Sequence, residues 1–244
     1  MGTFSLSIPS TISVIPPPKL ESNEYGGGIV RDFVLLVEQH QHGFKQLPNT
    51  YADLLQKCAI NKALLHGKCL HSHAIKSAVD SNTYFYNNLL NMYAKCGSLD
   101  DARQVFDNIP KRNKASWTAM IAGYAQNGYF KTALQLFCQM QRDGVHFNEF
   151  AFGSALKACA GMEVLEFGRQ VQAQIIMSGL ESDYIMGCAL IDMYCKCGSL
   201  ENACQVFDEM TAKDVVSWTA MIAGYTHNGY GEEALKLYCR MQRK

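Results

Sequence analysis

One segment of the sequence occurs twice, and this internal repeat constrains the fold more than any other feature. Residues 116–129 read SWTAMIAGYAQNGY and residues 217–230 read SWTAMIAGYTHNGY, at an offset of 101 positions. Two further pairs of segments match at the same offset: 92–109 with 193–210, and 54–58 with 155–159. Because three separate markers share one offset, the chain is built from tandem units, and self-similarity at a fixed period is typical of repeat architectures.

Each 101-residue period divides into three shorter units. Equivalent positions recur at spacings of 35, 31, 35, 35 and 31 residues, at Tyr51, Tyr86, Trp117, Phe152, Gly187 and Trp218. The spacings define six units: 48–82, 83–113, 114–148, 149–183, 184–214 and 215–244. The last unit is five residues shorter than its counterpart one period earlier. Units of this length hold one pair of helices in the known helical repeats.

The apolar pattern inside a unit predicts two helices. In 114–148, apolar residues from Trp117 to Tyr124 recur at i, i+3, i+4 and i+7, which is one helical face, and the Asn-Gly pair at 127–128 ends it. A second apolar stripe follows and ends at Gly144. Each helix exposes a stripe that it cannot bury alone, so the two must pack against each other and against a neighbouring pair.

The start of the second helix is marked in the shorter units. Gly97 ends the first helix of 83–113, and Ser98-x-x-Asp101 predicts a capping-box-like start for the next, as does Ser199 one period later. Because neighbouring hairpins must stack to bury their stripes, the sequence predicts an all-α fold. We expect a right-handed α-solenoid of stacked helix-turn-helix hairpins with a long concave surface.

The charge balance narrows the classes of function. Lys+Arg and Asp+Glu both number 22, so the formal net charge is zero. This argues against a polybasic membrane binder and against a non-specific nucleic-acid coat, but leaves a sequence-selective binder open. The sequence has no uncharged apolar stretch of the roughly 18 residues that a spanning helix needs. We therefore expect no membrane partner.

The ten cysteines lie inside amphipathic patterns rather than in loops. This favours reduced thiols that act as small apolar core residues over a secreted disulfide framework. A zinc site is the alternative, and Cys195-x-Cys197 is its only close pair, since the sequence has no CxxC and no HExxH. We expect no metal and no cofactor.

The repeated segments resemble those of land-plant pentatricopeptide repeat (PPR) proteins. The resemblance rests on WTAMIAGYAQNG, NMYAKCGSLDDARQVFD and LKACA, and it covers about four-fifths of the chain. The alternating lengths resemble the PLS subgroup, in which L, S and P motifs follow one another. On this pattern the L motifs are 48–82 and 149–183, the S motifs 83–113 and 184–214, and the P motifs 114–148 and 215–244, the last truncated.

The resemblance implies single-stranded RNA binding with one base per motif, read by the fifth and the last residue of the motif. The implied pairs are Asn87 with Asn113 for a pyrimidine, cytosine more than uracil, Thr118 with Asn148 for adenine, and Cys188 with Asp214, whose base is left open because a thiol is a poor donor. Thr219, without a partner in this sequence, implies a purine. The L-motif pairs, Ala52 with Asn82 and Gly153 with Asp183, carry little code.

The same resemblance assigns the second residue of a motif as an apolar clamp on the base face. The clamps are Tyr84, Ala115, Ile185 and Val216. Lys95 and Lys196 occupy one register in the two S motifs, and phosphate contact from the concave face is one interpretation of them. The other interpretation is a solvated lysine that suits the negative end of the helix dipole.

No catalytic constellation occurs in the sequence. Some PLS proteins carry C-terminal extensions with a zinc cytidine deaminase, whose chemistry needs H-x-E and C-x-x-C. None of the seven histidines precedes a Glu by two residues, and there is neither a Walker A loop nor a GxGxxG. We expect a non-enzymatic chain that lacks these extensions and is a truncated gene product or a fragment.

The N-terminal segment has a composition of its own. Residues 1–19 contain no acid, many hydroxyls and a Pro run at 16–18, which resembles an organellar transit peptide over 1–28, the alternative being a plain disordered tail. The lack of Arg before Arg31 favours the chloroplast over the mitochondrion. The segment 29–47 is predicted to cap the first repeat, with a helix over 29–41 that has Val30, Phe33, Val34 and Val37 on one face.

The leading interpretation is an RNA-binding specificity module of a plant organelle. It would act in C-to-U editing or another RNA-processing step, with single-stranded organellar RNA as partner and an editing deaminase or accessory factor supplied in trans. The alternatives are a helical-repeat scaffold for protein–protein interaction and a non-functional truncated fragment of a longer PPR protein.

Overall fold

The structure is a computed structural model that describes residues 27–41, 48–77, 83–180 and 183–243, and every regular element in these ranges is an α-helix. The thirteen helices are α1 (Gly27–Gln41), α2 (Pro48–Ile60), α3 (Leu64–Lys76), α4 (Thr83–Lys95), α5 (Leu99–Asp107), α6 (Lys114–Gln126), α7 (Phe130–Arg142), α8 (Glu149–Met162), α9 (Leu165–Met177), α10 (Tyr184–Lys196), α11 (Leu200–Glu209), α12 (Val215–His227) and α13 (Gly231–Gln242).

From α2 onward the helices form six consecutive hairpins. We call α2, α4, α6, α8, α10 and α12 the first helices, and α3, α5, α7, α9, α11 and α13 the second helices. The first helix of every hairpin packs against the first helix of each adjacent hairpin. Among the described residues, no Cα atoms of successive second helices come within 8 Å of each other. One layer is closely packed and the other is spread apart, so the array curves with the first helices on its concave side. The all-α solenoid predicted from the sequence is confirmed.

The repeated tryptophans hold successive hairpins together. Trp117 of α6 is fully buried and meets Phe106 of α5 edge-on, with ring centroids 4.8 Å apart. Trp218 of α12 repeats this contact with Phe207 at 5.0 Å. Each pair joins the second helix of one hairpin to the first helix of the next. The aromatic stripe on the first helix therefore serves packing between hairpins.

The Asn-Gly pair at the end of α6 has two roles. Gly128 has φ of +82°, a conformation that glycine adopts without steric cost and that lets the chain leave the helix. The side-chain amide of Asn127 donates to the carbonyl of Gly123 in its own helix at 2.8 Å and to that of Ala94 in α4 at 3.1 Å. The predicted helix stop is therefore also a tie between adjacent first helices.

The capping box predicted at Ser98 is wrong. Ser98 is the N-cap of α5, but its hydroxyl donates to the Asp101 carboxylate at 2.5 Å instead of capping a backbone amide. Asp101 also pairs with Lys68 of α3 at 2.8 Å. Ser199, one period later, likewise makes no capping bond. The lysine on the preceding hairpin draws the carboxylate outward, and local spacing does not reveal such a contact.

Helix α1 differs from its prediction in two ways. It begins at Gly27, so the expected disorder does not extend through residue 28. Its buried face contains Ile29 and Leu36, whereas Val34 is 46% exposed. Seven of the nine residues from Ile29 to Val37 are apolar, so periodicity did not single out one face. A salt bridge from Lys57 of α2 to Asp32, 2.6 Å long, orients the helix against the first hairpin.

The remaining expectations for the N-terminal segment lie outside the described residues. Residues 1–26, which carry most of the transit-peptide prediction, and 42–47 belong to this group. In the part of the chain that the structure describes, α1 packs against α2 and α3. No helix in that part has the length and apolar character needed to cross a membrane.

Candidate nucleic-acid interface

The predicted base-reading residues lie at one end of the first helices. Asn87, Thr118, Cys188 and Thr219 are each the fifth residue of a first helix, in α4, α6, α10 and α12. The last residue of each motif directly precedes the first helix of the next hairpin. The two members of a pair are therefore brought together at the junction of two adjacent first helices, on the concave side of the array.

The last residue of a motif is also a helix N-cap, a role that the sequence analysis missed. Oδ1 of Asn148 accepts the backbone N–H of Ala151 at 2.9 Å and so caps α8. Asp183 caps α10 in the same way at 2.9 Å. Asn113 caps α6 through a complete capping box with Ser116, both bonds being 2.9 Å long. Asn and Asp are preferred at this position because their short side chains reach the free amides of the first turn.

Capping commits one side-chain atom of the last residue and leaves the other available. An Asn that caps through Oδ1 retains its Nδ2 group, which is a donor. An Asp that caps through Oδ1 retains Oδ2, which is an acceptor. The choice between Asn and Asp therefore changes the hydrogen-bonding character of the groove while leaving the helix start intact.

The Thr118–Asn148 pair is in direct contact. The Thr118 hydroxyl lies 3.1 Å from Oδ1 of Asn148 and 2.8 Å from the carbonyl oxygen of Lys114, so its one proton is shared between two acceptors. The structure thus brings together two residues 30 positions apart, which are the fifth and the last residue of one motif.

The Cys188–Asp214 pair is bridged by a third side chain. The hydroxyl of Tyr184, the first residue of α10, donates to Oδ1 of Asp214, which also accepts the N–H groups of Val216 and Ser217 at 2.8 and 2.9 Å. These bonds lower the pKa of Asp214, the bond from Tyr184 most. Burial raises the pKa of Cys188; its hydrogen bond with Tyr184 acts in the opposite direction and the charge of Asp214 adds to the rise.

The other two base-reading positions make no such contact in the described residues. Asn87 and Asn113 are not hydrogen-bonded to each other, and Oδ1 of Asn87 is buried without a hydrogen-bond partner. A buried polar oxygen left in this way costs free energy. Thr219 donates to the carbonyl of Val215 in its own helix at 2.6 Å.

The predicted clamp residues form a row of exposed apolar side chains. Tyr84, Ile185 and Val216 are 53%, 60% and 57% exposed, and Ala115 is also exposed. Each is the second residue of a first helix and lies three positions before the base-reading residue, so both lie on the same helix face. Phe150 of α8 continues the row with 64% exposure. In four hairpins the concave side thus places an apolar side chain next to a predicted base-reading position, whereas the fifth residue of α8 is Gly153.

The two predicted phosphate-contacting lysines differ in their surroundings. Both lie at the C-terminal end of a first helix, eight residues or roughly 12 Å along the axis from the base-reading residue. Lys196 pairs with Asp192 at 2.8 Å. Lys95 has Asn91 at the equivalent position and, within the described ranges, no ion-pair partner. Lys95 therefore offers a free positive charge that Lys196 does not.

Nine of the ten cysteines are buried or half-buried, and Cys239 is exposed. All ten are free thiols. Burial raises the pKa of Cys58, Cys159 and Cys195 to about 12, which keeps them protonated. The Cys197 thiol donates to the carbonyl of Cys159 at 4.0 Å. In the described part of the chain, no three His, Cys, Asp or Glu side chains are arranged to hold a metal ion.

Comparison with known proteins agrees with this architecture. The sequence matches the PPR repeat family over residues 112–161 and the PPR repeat over 84–113, 188–211 and 216–244. It is 43% identical over 193 residues to the chloroplastic pentatricopeptide repeat-containing protein At4g18520 of Arabidopsis thaliana, which covers 79% of this chain and 31% of that protein. It is 38% identical over 214 residues to the mitochondrial pentatricopeptide repeat-containing protein At2g03380 of the same plant, which covers 88% of this chain and 30% of that protein.

The fold has a solved counterpart. The crystal structure of the pentatricopeptide repeat protein PPR10 from maize matches with a TM-score of 0.68 and 20% identity, over 90% of this chain and 32% of that one. PPR10 in complex with an 18-nt psaJ RNA element matches with a TM-score of 0.64 and 18% identity, over 89% of this chain and 38% of that one. The chain belongs to the pentatricopeptide repeat family and spans less than a third of the length of the two Arabidopsis relatives.

Proposed function

We propose that this chain is a sequence-selective module for single-stranded RNA, in which each hairpin contacts one base at the N-terminal end of its first helix. The observation that carries the proposal is the row of exposed clamp residues, each lying beside a predicted base-reading position on the same helix face. Such a row matches the two surfaces of an unpaired base: a flat face that stacks on apolar side chains and an edge that hydrogen-bonds.

The spacing of the helices supports single strands over duplexes. Packed helices lie about 8–10 Å apart, whereas bases stacked in a duplex rise about 3.4 Å per strand. A row of binding positions at helix spacing therefore suits nucleotides that are splayed out. The PPR10 crystal structure with an 18-nt RNA element supports RNA as the ligand class for this fold.

The names of the relatives support a proposal for the cellular setting. The two Arabidopsis relatives are named chloroplastic and mitochondrial. We place this chain in a plant organelle, with the chloroplast as the first choice and the mitochondrion as the second. Its alternating motif lengths resemble the PLS subgroup, which favours a role as specificity factor in C-to-U editing, with the deaminase in trans, over another RNA-processing step.

Titration of the purified chain with RNA tests the ligand class. We expect a single-stranded RNA selected from a randomised pool to bind more tightly than a duplex of the same sequence. Replacing Tyr84, Ile185 and Val216 together by Ser should weaken binding tenfold or more, because each loses contact with a base face. Replacing the exposed Ile176 and Leu235, which lie on second helices, is the matched control and should change little.

Two outcomes would contradict the proposal. Equal affinity for single strand and duplex would exclude recognition of unpaired bases. Equal losses in the clamp variant and in the control variant would show that the row has no special role, and would favour the protein–protein scaffold.

A further inference from the structure

One base-reading position lacks the polar side chain that the others have. Cys188 occupies the place held by Asn87 and Thr118 in two other motifs, and a thiol is a weak hydrogen-bonding group. The same motif contains Tyr184 four residues earlier, so the two side chains lie on one face of α10. Aromatic side chains are absent from the first position of the other first helices. Tyr184 is therefore a feature of this motif alone.

The Tyr184 hydroxyl makes the contact that Thr118 makes in its own motif. Thr118 donates to Oδ1 of Asn148, the N-cap of the next first helix. Tyr184 of α10 donates to Oδ1 of Asp214, which is the N-cap of α12, the first helix of the following hairpin. In both motifs a hydroxyl on one helix therefore meets the last residue of the motif across the groove. The longer side chain of Tyr184 covers the distance that Cys188 does not.

We propose that Tyr184 is a base-reading residue, and that its hydroxyl, rather than the Cys188 thiol, acts with Asp214 to select guanine at the second S motif. The inference rests on the proposed RNA-binding function and deepens it at one site. The Tyr184 side chain is partly exposed, so its hydroxyl has room to meet a ligand.

The base preference follows from the atoms that remain available. The proton of the Tyr184 hydroxyl is committed to Asp214 and the Cys188 thiol is hydrogen-bonded to the same oxygen, so the lone pair that remains serves as an acceptor. Oδ1 of Asp214 is occupied by three donors, which leaves Oδ2 as a second acceptor. The hydrogen bonds from Tyr184 and the backbone keep the Asp214 carboxylate ionised by lowering its pKa.

Two neighbouring acceptors match the edge of guanine better than that of any other base. Guanine presents two adjacent donors on its Watson–Crick edge, the ring N–H and the exocyclic amine. Uracil presents one donor between two acceptors. Adenine and cytosine present one exocyclic amine beside a ring acceptor, which a carboxylate repels. The site should therefore rank guanine first.

Selection from a randomised single-stranded RNA pool tests the inference on the full chain. Asn148→Asp identifies the nucleotide that faces the Thr118–Asn148 motif, because the base preference should change at that nucleotide alone. The second S motif lies two motifs further along the chain. At the nucleotide two positions from that marker, wild type should select guanine. Tyr184→Phe, which removes only the hydroxyl, should lower the guanine preference about tenfold, equivalent to ~1.4 kcal/mol.

Two further variants separate base reading from a structural role. Tyr129→Phe removes a hydroxyl from another exposed tyrosine and should leave every position unchanged. Adding Cys188→Thr to Tyr184→Phe supplies a hydroxyl in the manner of Thr118 and should restore the guanine preference. A merely structural Tyr184 would lower the midpoint of thermal unfolding without moving the base preference.

The failures can be told apart. If wild type enriches no sequence, the proposed RNA-binding function is wrong. If Asn148→Asp changes the base preference at one nucleotide while Tyr184→Phe changes it at none, only the proposed role of Tyr184 is wrong. A preference for another base at the Cys188–Asp214 position, or a preference lost in Cys188→Ala and kept in Tyr184→Phe, would also overturn it.

Discussion

The two periods of the repeat, residues 48–148 and 149–244, share contacts between hairpins and differ in the polar side chains of the groove. Three contacts recur at matched positions. The Phe106–Trp117 ring contact returns as Phe207–Trp218, the Cys96–Cys58 hydrogen bond as Cys197–Cys159, and the Asn127–Ala94 hydrogen bond as Asn228–Cys195. Two polar sites of the first helices change: Asn87/Asn113 to Cys188/Asp214, and Asn91/Lys95 to Asp192/Lys196. One hydrogen bond between hairpins also changes, from His71–Tyr93 to Gln172–Tyr194.

This contrast separates the scaffold from the groups that we propose select a ligand. In a repeat array each hairpin contacts only its neighbours, so stability depends on the hairpin interiors and on the interfaces between them. Side chains in the concave groove add little to those interfaces. They can therefore differ from hairpin to hairpin while the array remains the same, which is what independent selection of successive bases requires.

The largest expected effect is on a shared packing contact. Trp117→Ala should lower the free energy of unfolding by about 3–5 kcal/mol, since it empties a fully buried site against Phe106. Trp218→Ala should cost less, because α6 packs against hairpins on both sides whereas α12 packs against α10, α11 and α13. Denaturation followed by circular dichroism checks both. Equal losses would show that the two periods contribute alike.

A half-buried histidine should make the first period sensitive to pH. Burial lowers the pKa of His71 to about 4, while the charge of Asp101 acts in the opposite direction. In the unfolded chain a histidine titrates near 6.5. Protonation therefore favours the unfolded chain, and stability should fall by roughly 2–3 kcal/mol as pH drops from about 6.5 to 4.

The second period offers the matched control for this prediction. Gln172 occupies the place of His71 and accepts a hydrogen bond from Tyr194. His71→Gln should therefore flatten the pH dependence of the free energy of unfolding between about pH 6.5 and 4. Gln172→His should make that pH dependence steeper. A pH profile unchanged by either variant would show that His71 is not the group responsible.

Close approach of the first helices should be tested at matched glycines. A Cβ on Gly123 would lie 2.7 Å from Cβ of Ala94, and one on Gly224 2.8 Å from Cβ of Cys195. Alanine at either place should destabilise by about 1–3 kcal/mol, because neither neighbour can rotate away. Gly153→Ala is the control: its Cβ would lie 3.7 Å from Met186, so the gain in helix propensity should dominate. Thermal unfolding that ranks the three variants alike would contradict the close packing.

Sequence periodicity predicted the hairpins well and the groove only in part. The repeat and the stripe from Trp117 to Tyr124 depend on spacing within one helix, which the sequence shows directly. The bridge from Tyr184 to Asp214 and the pair of Lys68 with Asp101 join residues 30 and 33 positions apart. Such contacts depend on how neighbouring hairpins dock.

A local signal for some of these contacts existed. Asn113 and Asp214 each precede a Ser by three residues, a spacing typical of helix N-caps. Tyr184 lies four residues before Cys188, which places both on one helix face. The orientation of α1 had no such signal, because the apolar residues from Ile29 to Val37 are spread over more than one face of the helix. The Asp32–Lys57 bridge joins residues 25 positions apart, which local spacing does not reveal.

The smallest expected effects concern the two lysines. If both face RNA phosphates, Lys95→Ala should weaken binding of all sequences alike and lower the salt slope by about 0.7. Lys196→Ala should do less, because Asp192 already pairs with it. Asn91→Asp should give Lys95 an ion-pair partner like Asp192, and the effect of Lys95→Ala on the salt slope should then fall to that of Lys196→Ala. Binding titrations at several salt concentrations check this, and slopes unaffected by Lys95→Ala would show that the lysine only solvates the helix end.

The most direct test of the account is the base preference at the Thr118–Asn148 pair. Asn148 presents Nδ2 to the groove because Oδ1 caps α8, and a donor suits the ring acceptor of adenine. Asn148→Asp keeps the cap, as Asp183 and Asp214 do, but presents an acceptor, which suits the donors of guanine. The variant should therefore fold as wild type does and change only its preference.

The measurement is the affinity of wild type and Asn148→Asp for four single-stranded RNAs that differ at the one base facing this motif. The account predicts adenine first for wild type and guanine first for the variant, with a difference on the order of 1–3 kcal/mol. If both proteins rank the four bases identically, Asn148 does not read a base, and the concave groove is not organised as described.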